Sequence, residues 1–289
     1  TAFYAYSVKL LAKTAGELGR HEDEKIYNNL FEDIKKVFVY EYVTPAGRIG
    51  TNSQTSYVLA LMFDLLPEDL RGKAASFLVD DIRSRDTHLS TGFLGTPFLC
   101  HVLSDNGYTD VAYDLLLQET YPSWLYPVKM GATTIWERWD GQKTDSTFQD
   151  PGMNSFNHYA YGAIGDWMYR ISAGIEAGTP GYKHVIIQPH LTAKMDYSRA
   201  SFDSPYGTIN SGWERTEGKI MLKVTIPANT SSTILIPISD PSVILENGKP
   251  VINDFESDTG VRNNIIFADR DVVRLQRGSG EYIYEFTEQ

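Results

Sequence analysis

The segment from Thr133 to Asp140 carries the residues best suited to chemistry. It reads Thr-Thr-Ile-Trp-Glu-Arg-Trp-Asp and places the carboxylate of Glu137 between the indoles of Trp136 and Trp139. Indole rings can bury the apolar C–H face of a sugar ring, and a carboxylate can move a proton at a hydroxyl group or a water molecule. The segment therefore favours a site that processes a sugar.

Two interpretations of Glu137 are open at this point. In an extended segment, Glu137 and Trp139 would share one face while Trp136 and Arg138 share the other, so a carboxylate and an indole would form one wall of a site. Alternatively, Glu137 is a structural residue that is buried beneath core tryptophans and paired with Arg138 or another cation. Both interpretations fit the residues of this segment.

A second polar group follows in the chain and comprises Asn154, Ser155, Asn157 and His158. The apolar spacing predicts a last helix from Phe156 to Ile171, with His158 at its start. A helix N-terminus presents free N–H groups, and Asn and His side chains can bind sugar hydroxyls. The alternative is that Asn154 or Ser155 caps this helix while His158 is hydrogen-bonded in the interior.

The composition limits the partners of the chain. Its 289 residues suit two domains, and 26 basic against 37 acidic residues give a formal charge of −11. Nucleic acids and anionic membranes attract clustered Lys and Arg, so we expect neither as a partner, whereas a neutral glycan is compatible. No apolar run approaches the roughly 18 residues of a membrane span.

We expect no metal and no cofactor. The histidines other than His158 lack metal-ligand spacing, and no nucleophile-elbow sequence supports Ser-His-Asp catalysis. The Gly92–Gly95 segment has two glycines but lacks the Lys-Ser or Lys-Thr of a phosphate-binding loop. The single cysteine, Cys100, excludes an intramolecular disulfide and leaves the compartment open.

The first part of the chain has helical periodicity. An amphipathic helix is predicted from Ile26, Leu30, Ile34, Val37 and Phe38. Pro67 is predicted to open a later helix with Glu68 and Asp69 in its first turn. Very apolar helices alternate with more polar ones, as the inner and outer helices of a toroid do. We count about three helical hairpins, which is half of a six-hairpin α/α barrel.

Beyond residue 177 the period changes from helix to strand. Ile220, Leu222, Val224 and Ile226 alternate with polar or exposed positions, and Asn247-Gly248 predicts a tight hairpin. Frequent short alternating strands are typical of an antiparallel sandwich. The predicted fold class is therefore α + β, with a partial (α/α)6 toroid over residues 1–177 and an antiparallel β-sandwich over residues 178–289.

These residues resemble the bacterial α-L-rhamnosidases, glycoside hydrolase family 78. The matching segments are residues 51–55, 92–96, 134–140, 155–159 and 162–174, followed by Gly181-Tyr182 and residues 186–189. The Trp-Glu-Arg-Trp segment and the downstream Asn157-His158 are the specific part of the match. The resemblance covers essentially the whole chain and implies the second half of a catalytic (α/α)6 barrel and the C-terminal β-sandwich.

The resemblance also implies an activity, the inverting hydrolysis of terminal α-L-rhamnose from glycosides or polysaccharides. Glu137 would be the general base that activates the attacking water, and His158 would contact the rhamnose. Trp136, Trp139 and Asn157 would complete the substrate-binding site. In an inverting glycosidase the two carboxyl groups stand roughly 6.5–9.5 Å apart, which leaves room for the water.

In this family the general acid lies in the first half of the barrel, which has no counterpart here. We therefore expect a fragment with a base but no acid, an apolar seam exposed to water, and the missing N-terminal part of the same protein as its partner. Such a fragment should have little or no activity alone, because loss of an acid or base costs about 10²–10⁴-fold in rate.

Two alternatives remain at this stage. Another α/α-barrel carbohydrate enzyme, a phosphorylase or a trehalase-like hydrolase, would use a similar wall, but only Arg138 is near the motif to bind phosphate. A non-catalytic carbohydrate-binding protein would keep the aromatic residues and perform no chemistry. Phosphate dependence distinguishes the first alternative, and sugar binding without hydrolysis distinguishes the second.

Overall fold

The computed structural model describes residues 1–251, 265–269 and 272–287. It contains two compact units, Thr1–Ile164 and Gly165–Gln289. The first unit is helical and the second is built from β-strands. This confirms the predicted fold class, helical hairpins followed by a sandwich of mainly antiparallel strands. The helical unit ends ahead of the boundary predicted at residue 177.

The helical unit is a series of hairpins. Its helices are α1 (Ala2–Glu17), α2 (His21–Tyr42), α3 (Gln54–Met62), α4 (Glu68–Ser84), α5 (Thr96–Asp105), α6 (Thr109–Leu117) and the short α7 (Leu125–Lys129). Helix α1 packs on α2, α3 on α4, and α5 on α6, while α3 also packs against α5. Among the described residues, no helix is both long and apolar enough to cross a membrane.

Helix α3 is more deeply buried than α4, because its sequence is more apolar. It buries Tyr57, Val58 and Leu61, whereas α4 begins with the exposed acidic turn of Glu68 and Asp69 after Pro67. Acidic groups in a first turn interact favourably with the positive end of the helix dipole. The prediction for the start of α4 is therefore confirmed.

Phe63 joins the three hairpins through ring contacts. Its ring centroid lies 4.3 Å from that of Tyr6, in a stacked arrangement, and 5.1 Å from that of Phe3 on the same helix, α1. On its other side, Phe63 contacts the edge of Phe98 of α5 at 5.3 Å. Aromatic pairs at these separations stabilise packing beyond the area that they bury.

Helix α2 has a narrower buried stripe than its sequence predicts. The buried residues are Phe31, Ile34 and Phe38, whereas Ile26 and Val37 are 58% and 56% exposed. At 100° per residue, Ile26 and Val37 lie well outside the sector that these three residues share. Helix α1 likewise exposes the apolar residues Tyr4 and Leu11, and Leu18, directly after the helix, continues their spacing of seven residues.

The second unit contains two sheets. The first has the strand order β1-β2-β6-β10-β9, and the second has the order β3-β4-β5-β11-β7-β8. The strands are β1 (Ile175–Ala177), β2 (His184–Ile187), β3 (Tyr197–Ser204), β4 (Gly207–Thr216), β5 (Lys219–Ile226), β6 (Ser231–Ile236), β7 (Leu245–Glu246), β8 (Lys249–Pro250), β9 (Ile265–Asp269), β10 (Val272–Arg277) and β11 (Gly280–Thr287). Neighbouring described strands are antiparallel except β2 and β6, which are parallel.

The core of this unit lies where the alternating strands turn their apolar sides inward. Leu222 of β5 is fully buried and Met221 beside it is 37% exposed, as the period-two pattern predicts. The tight turn at Asn247-Gly248 is also confirmed, since both residues have positive φ, 51° and 77°, between β7 and β8. The second strand of this hairpin, β8, follows the turn directly at Lys249–Pro250, ahead of the apolar pair Val251-Ile252, and Ile252 lies outside the described residues.

Candidate active site

Glu137 lies in the irregular segment after α7 and is held by one residue, Ser155. The main-chain N–H of Glu137 donates to the carbonyl oxygen of Ser155 at 2.8 Å, and the main-chain N–H of Ser155 donates to Oε2 of Glu137 at 2.9 Å. Glu137 is half-buried, and within the described residues its carboxylate forms no ion pair. A carboxylate held in this way has an oxygen with which to accept a proton.

The pairing of Glu137 with Arg138 that its sequence allows is not formed. The guanidinium Nε of Arg138 instead contacts Oδ1 of Asp140 at 3.1 Å. This hydrogen bond and the charge of Asp140 raise the pKa of Arg138, despite the opposing effect of burial. Gln149 donates to the second oxygen of Asp140, so the acidic group nearest in sequence to Glu137 is fully engaged.

The helix predicted from Phe156 to Ile171 begins later than its sequence suggests, because residues 156–159 are not helical. Residues 155–158 instead run beside residues 135–137, with the His158 N–H donating to the Ile135 carbonyl at 2.8 Å. The Ser155 carbonyl, which would accept the first hydrogen bond of such a helix, accepts from the Glu137 N–H instead. Helical structure begins only with a short 3₁₀ turn at Ala160–Ala163, followed by Ile164–Trp167 and a π turn at Met168–Ser172.

The two indoles both point inward, because the segment does not remain extended. It turns at Arg138–Gly141, where the Gly141 N–H donates to the Arg138 carbonyl. Trp139 is 8% exposed and stacks on Tyr161 at 3.7 Å between ring centroids. Trp136 is 6% exposed and meets Phe156 edge to face at 5.1 Å. In this chain the indoles are therefore packed beneath the segment that carries Glu137.

The imidazole of His158 stacks on two aromatic rings. It stacks on Phe93 at 4.9 Å with an interplanar angle of 21°, and on Tyr159 at 5.3 Å with an angle of 12°. Its Nδ1 accepts a hydrogen bond from the Ala160 N–H at 3.4 Å. An accepting Nδ1 carries no proton, so the neutral ring has its hydrogen on Nε2 and presents a donor there.

Asn157 is the most exposed of the sequence-predicted site residues. Its main-chain N–H donates to Oγ of Ser155 at 3.2 Å, which bends the chain before His158. The same segment therefore brings Glu137, Asn157 and His158 onto one stretch of paired backbone. Trp136 and Trp139 lie beneath this stretch.

Tyrosines near the site remain protonated at neutral pH. Burial raises the pKa of Tyr161, with further contributions from Tyr121 and Asp140. Burial also raises the pKa of Tyr121, and the charge of Asp140 acts in the same direction. The Nε1–H of Trp124 donates to the Tyr161 carbonyl at 2.9 Å and anchors this aromatic layer.

Two positions in the site were missed by sequence reasoning. Ser155 acts through its backbone N–H, which no residue type reveals. Phe93 contacts His158 across a long stretch of chain, and its only signal was its place in the Gly-Phe-Leu-Gly-Thr segment.

Comparison with known proteins gives a consistent result for both units. A family model described as the bacterial alpha-L-rhamnosidase 6 hairpin glycosidase domain matches residues 1–171. A second, described as the bacterial alpha-L-rhamnosidase C-terminal domain, matches residues 174–249.

Individual relatives agree with these matches. An alpha-L-rhamnosidase of Streptomyces avermitilis is 47% identical over 241 residues, covering 83% of this chain and 23% of that protein. One of Formosa agariphila is 40% identical over 288 residues, covering 99% of this chain and 30% of that protein. The crystal structure of a Streptomyces avermitilis alpha-L-rhamnosidase complexed with L-rhamnose superposes with a TM-score of 0.89 at 40% identity, covering 99% of this chain and 26% of that one. The chain thus spans less than a third of each.

Proposed function

This chain belongs to the bacterial α-L-rhamnosidase family, and we propose that it forms part of an inverting glycoside hydrolase. This enzyme releases terminal α-L-rhamnose from glycosides or polysaccharides. Glu137 is the general base in this proposal. This role is supported by the surroundings of the Glu137 carboxylate. The carboxylate is half-buried, its Oε2 accepts a hydrogen bond from the Ser155 N–H, and it forms no ion pair in the described part of the chain.

The proposed step is a single displacement at the anomeric carbon. A water molecule attacks from the face opposite the leaving group, and Glu137 takes a proton from that water as the new C–O bond forms. The old glycosidic C–O bond breaks, and a general acid gives its proton to the leaving oxygen. The products are β-L-rhamnose and an alcohol.

In this proposal Asp140 is not the general acid. Asp140 is the acidic residue closest to Glu137 in sequence, and Arg138 and Gln149 already occupy its two oxygens. A general acid must present a carboxyl oxygen to the leaving group, and both oxygens of Asp140 already have partners. Asp140 therefore acts in the proposal as a support for the Glu137 segment.

The binding roles in the proposal are assigned to the residues beside Glu137. His158 donates from Nε2 to a rhamnose hydroxyl oxygen, and the exposed Asn157 side chain contacts the sugar from the same stretch. Trp136 and Trp139 shape the floor of the site from below, since both are nearly buried.

The first test replaces Glu137 with glutamine in the natural full-length protein and measures turnover of an aryl α-L-rhamnoside. Glutamine keeps the size of the side chain but accepts no proton at pH 7, so we expect kcat to fall by about 10²–10⁴-fold. Glu68→Gln is the matched control, because the Glu68 side chain is 97% exposed on α4. Unchanged turnover in Glu137→Gln would remove Glu137 from the mechanism.

A second measurement separates a base from a structural residue. In a Glu137→Ala variant, azide is an anionic nucleophile that needs no base, so added azide should restore turnover and yield β-L-rhamnosyl azide. Proton NMR of the unmodified reaction should show β-L-rhamnose as the first sugar released. Initial release of the α-anomer would contradict an inverting mechanism.

The same assays separate the alternatives. Turnover that requires inorganic phosphate would indicate a phosphorylase. Binding of L-rhamnose in titration calorimetry without any hydrolysis by the full-length protein would indicate a carbohydrate-binding protein.

A further inference from the structure

We propose that Phe93 is a positioning residue that sets the plane of the His158 imidazole and so the direction of its Nε2–H. The contact of His158 with rhamnose rests on the proposed function, whereas the arrangement of the two rings does not. Phe93 has no role in the proposed chemistry and acts only through His158.

The ring geometry supports this role. Phe93 and His158 lie nearly parallel, 4.9 Å apart, and Phe93 also contacts Tyr161 at 5.3 Å with an interplanar angle of 52°. Tyr161 is itself stacked on Trp139, so Phe93 connects His158 to the buried aromatic layer. The imidazole is thereby fixed against a part of the protein that does not move easily.

The segment that carries Phe93 is fixed from the other side by Gln54 of α3. Gln54 is fully buried, its Oε1 accepts from the Ser90 N–H at 2.7 Å, and its Nε2 donates to the His88 carbonyl at 3.1 Å. Buried amide groups with satisfied partners are rigid and costly to disturb. A hydrogen bond of 2.8 Å between the buried hydroxyls of Thr91 and Thr96 then closes the turn around Phe93.

Tyr159 cannot replace Phe93 in this role, although it also stacks on the imidazole. Tyr159 is 88% exposed, whereas Phe93 is half-buried and in contact with the aromatic layer. An exposed ring adjusts to the imidazole, while an anchored ring constrains it. The hydrogen bond from Ala160 to Nδ1 is long, at 3.4 Å, and Phe93 adds a second restraint on rotation of the ring about its Cβ–Cγ bond.

The kinetic test compares Phe93→Leu with Phe93→Tyr in the full-length enzyme. Leucine removes the flat ring, so we expect KM for an aryl α-L-rhamnoside to rise about three- to tenfold while kcat changes less than about twofold, because a weakened hydroxyl contact affects ground and transition states alike. Phe93→Tyr keeps the flat ring, so its KM should stay close to that of the unsubstituted enzyme. Phe98→Leu is the matched control, since Phe98 is also half-buried and packs on Phe63, away from His158.

A double-mutant cycle shows whether Phe93 acts through His158. In a His158→Ala background, Phe93→Leu should no longer raise KM, whereas additive effects of the two substitutions would overturn the proposal. A rise in KM for Phe98→Leu equal to that for Phe93→Leu would also overturn it, because the effect would then come from general loosening.

A spectroscopic test is independent of activity. Long-range ¹H–¹⁵N NMR, with the His158 signals identified by their loss in His158→Ala, should show one neutral tautomer protonated on Nε2. In Phe93→Leu we expect the imidazole proton signals to shift as the ring current is lost and the tautomers to mix. Unchanged His158 signals would refute the positioning role even if the protein has no rhamnosidase activity, and a clear change would support it in that case too.

Discussion

Gly174 shows how strongly a single residue can constrain this chain. It has a φ of +80°, and a Cβ added there would lie 2.2 Å from the Pro189 nitrogen and 2.3 Å from the Gln188 carbonyl carbon. The Gln188 N–H also donates to the Gly174 carbonyl at 2.8 Å, so the two backbone segments are already in contact. Neither segment can move away to make room for a Cβ without breaking this hydrogen bond.

We therefore expect Gly174→Ala to lower the free energy of unfolding by about 3 kcal/mol or more, from left-handed strain together with a backbone clash. Gly218→Ala is the control, because Gly218 has a similar φ of +77° but no atom within 4 Å of an added Cβ. Gly218→Ala should lower the free energy of unfolding by only about 1–2 kcal/mol. Urea denaturation measures both, and equal losses would show that the clash at Gly174 relaxes freely.

At the same scale, residue type indicated only part of the candidate site. Glu137 and His158 could be selected from their sequence, because a carboxylate and an imidazole have chemistry of their own. The support for Glu137 could not, because it comes from the Ser155 backbone. The Phe93 contact could not either, since phenylalanine is common in cores and its partner lies 4.9 Å away only after folding.

Among the secondary-structure elements, a charge cluster joins the first two hairpins. Asp64, just after α3, contacts Lys9 of α1 at 3.1 Å, Lys35 of α2 at 3.6 Å and Arg71 of α4 at 3.1 Å. Burial tends to raise the pKa of Asp64, but the hydrogen bond from Lys9 and the charges of all three cations lower it below the ordinary 3.8. The ionised carboxylate is therefore favoured by folding.

The stability from Asp64 is fully present above the ordinary pKa and is lost as the pH falls through the lower folded pKa. We expect Asp64→Asn to destabilise the protein by about 0.5–1 kcal/mol at pH 7 and to flatten the loss of stability below about pH 4, because the pairs are partly exposed. Asparagine tolerates the positive φ of this position, so the charge alone is removed.

Asp33→Asn is the control for this experiment. Asp33 is 71% exposed and contacts Lys36 one turn along α2, at 3.2 Å. Chemical denaturation across the acid range should show a flattened profile for Asp64→Asn alone. Parallel profiles for the two variants would contradict the role of the cluster.

Periodicity predicted the elements where packing follows the local pattern. Strand β5 and the hairpin at Asn247-Gly248 are such cases, since one face or one turn determines each. It failed at residues 156–159, where the apolar spacing predicts the first turn of a helix but the backbone of residues 155–158 pairs with residues 135–137. A local helical turn competes there with pairing to a segment about 20 residues away in sequence. A pattern read over a short stretch of sequence includes only one of the two segments.

At the scale of the whole molecule, the chain combines a formal charge of −11 with two compact units of different secondary structure. Each unit has its own buried core among the described residues. The two cores consist of different side chains, so a substitution that weakens one core leaves the other intact. We therefore expect the two units to unfold in separable transitions.

Leu222→Ala tests this expectation. It truncates a fully buried side chain in the sandwich and should cost about 2–5 kcal/mol, shifting one calorimetric transition and leaving the other in place. Met221→Ala on the same strand should cost less than about 1 kcal/mol, because Met221 is 37% exposed. A single transition that moves as a whole would show that the units unfold together.

The pairing of residues 135–137 with residues 155–158 also has a consequence for the order of folding. Closing this loop requires only a short stretch of chain, so its entropic cost is small, whereas the contact between Phe93 and His158 closes a much longer loop. The backbone around Glu137 can therefore form early, while the imidazole reaches its final orientation only after the distant segment docks. A mildly destabilised protein should lose the orientation of the His158 imidazole, and with it the proposed sugar contact, before it loses the backbone pairing that holds Glu137.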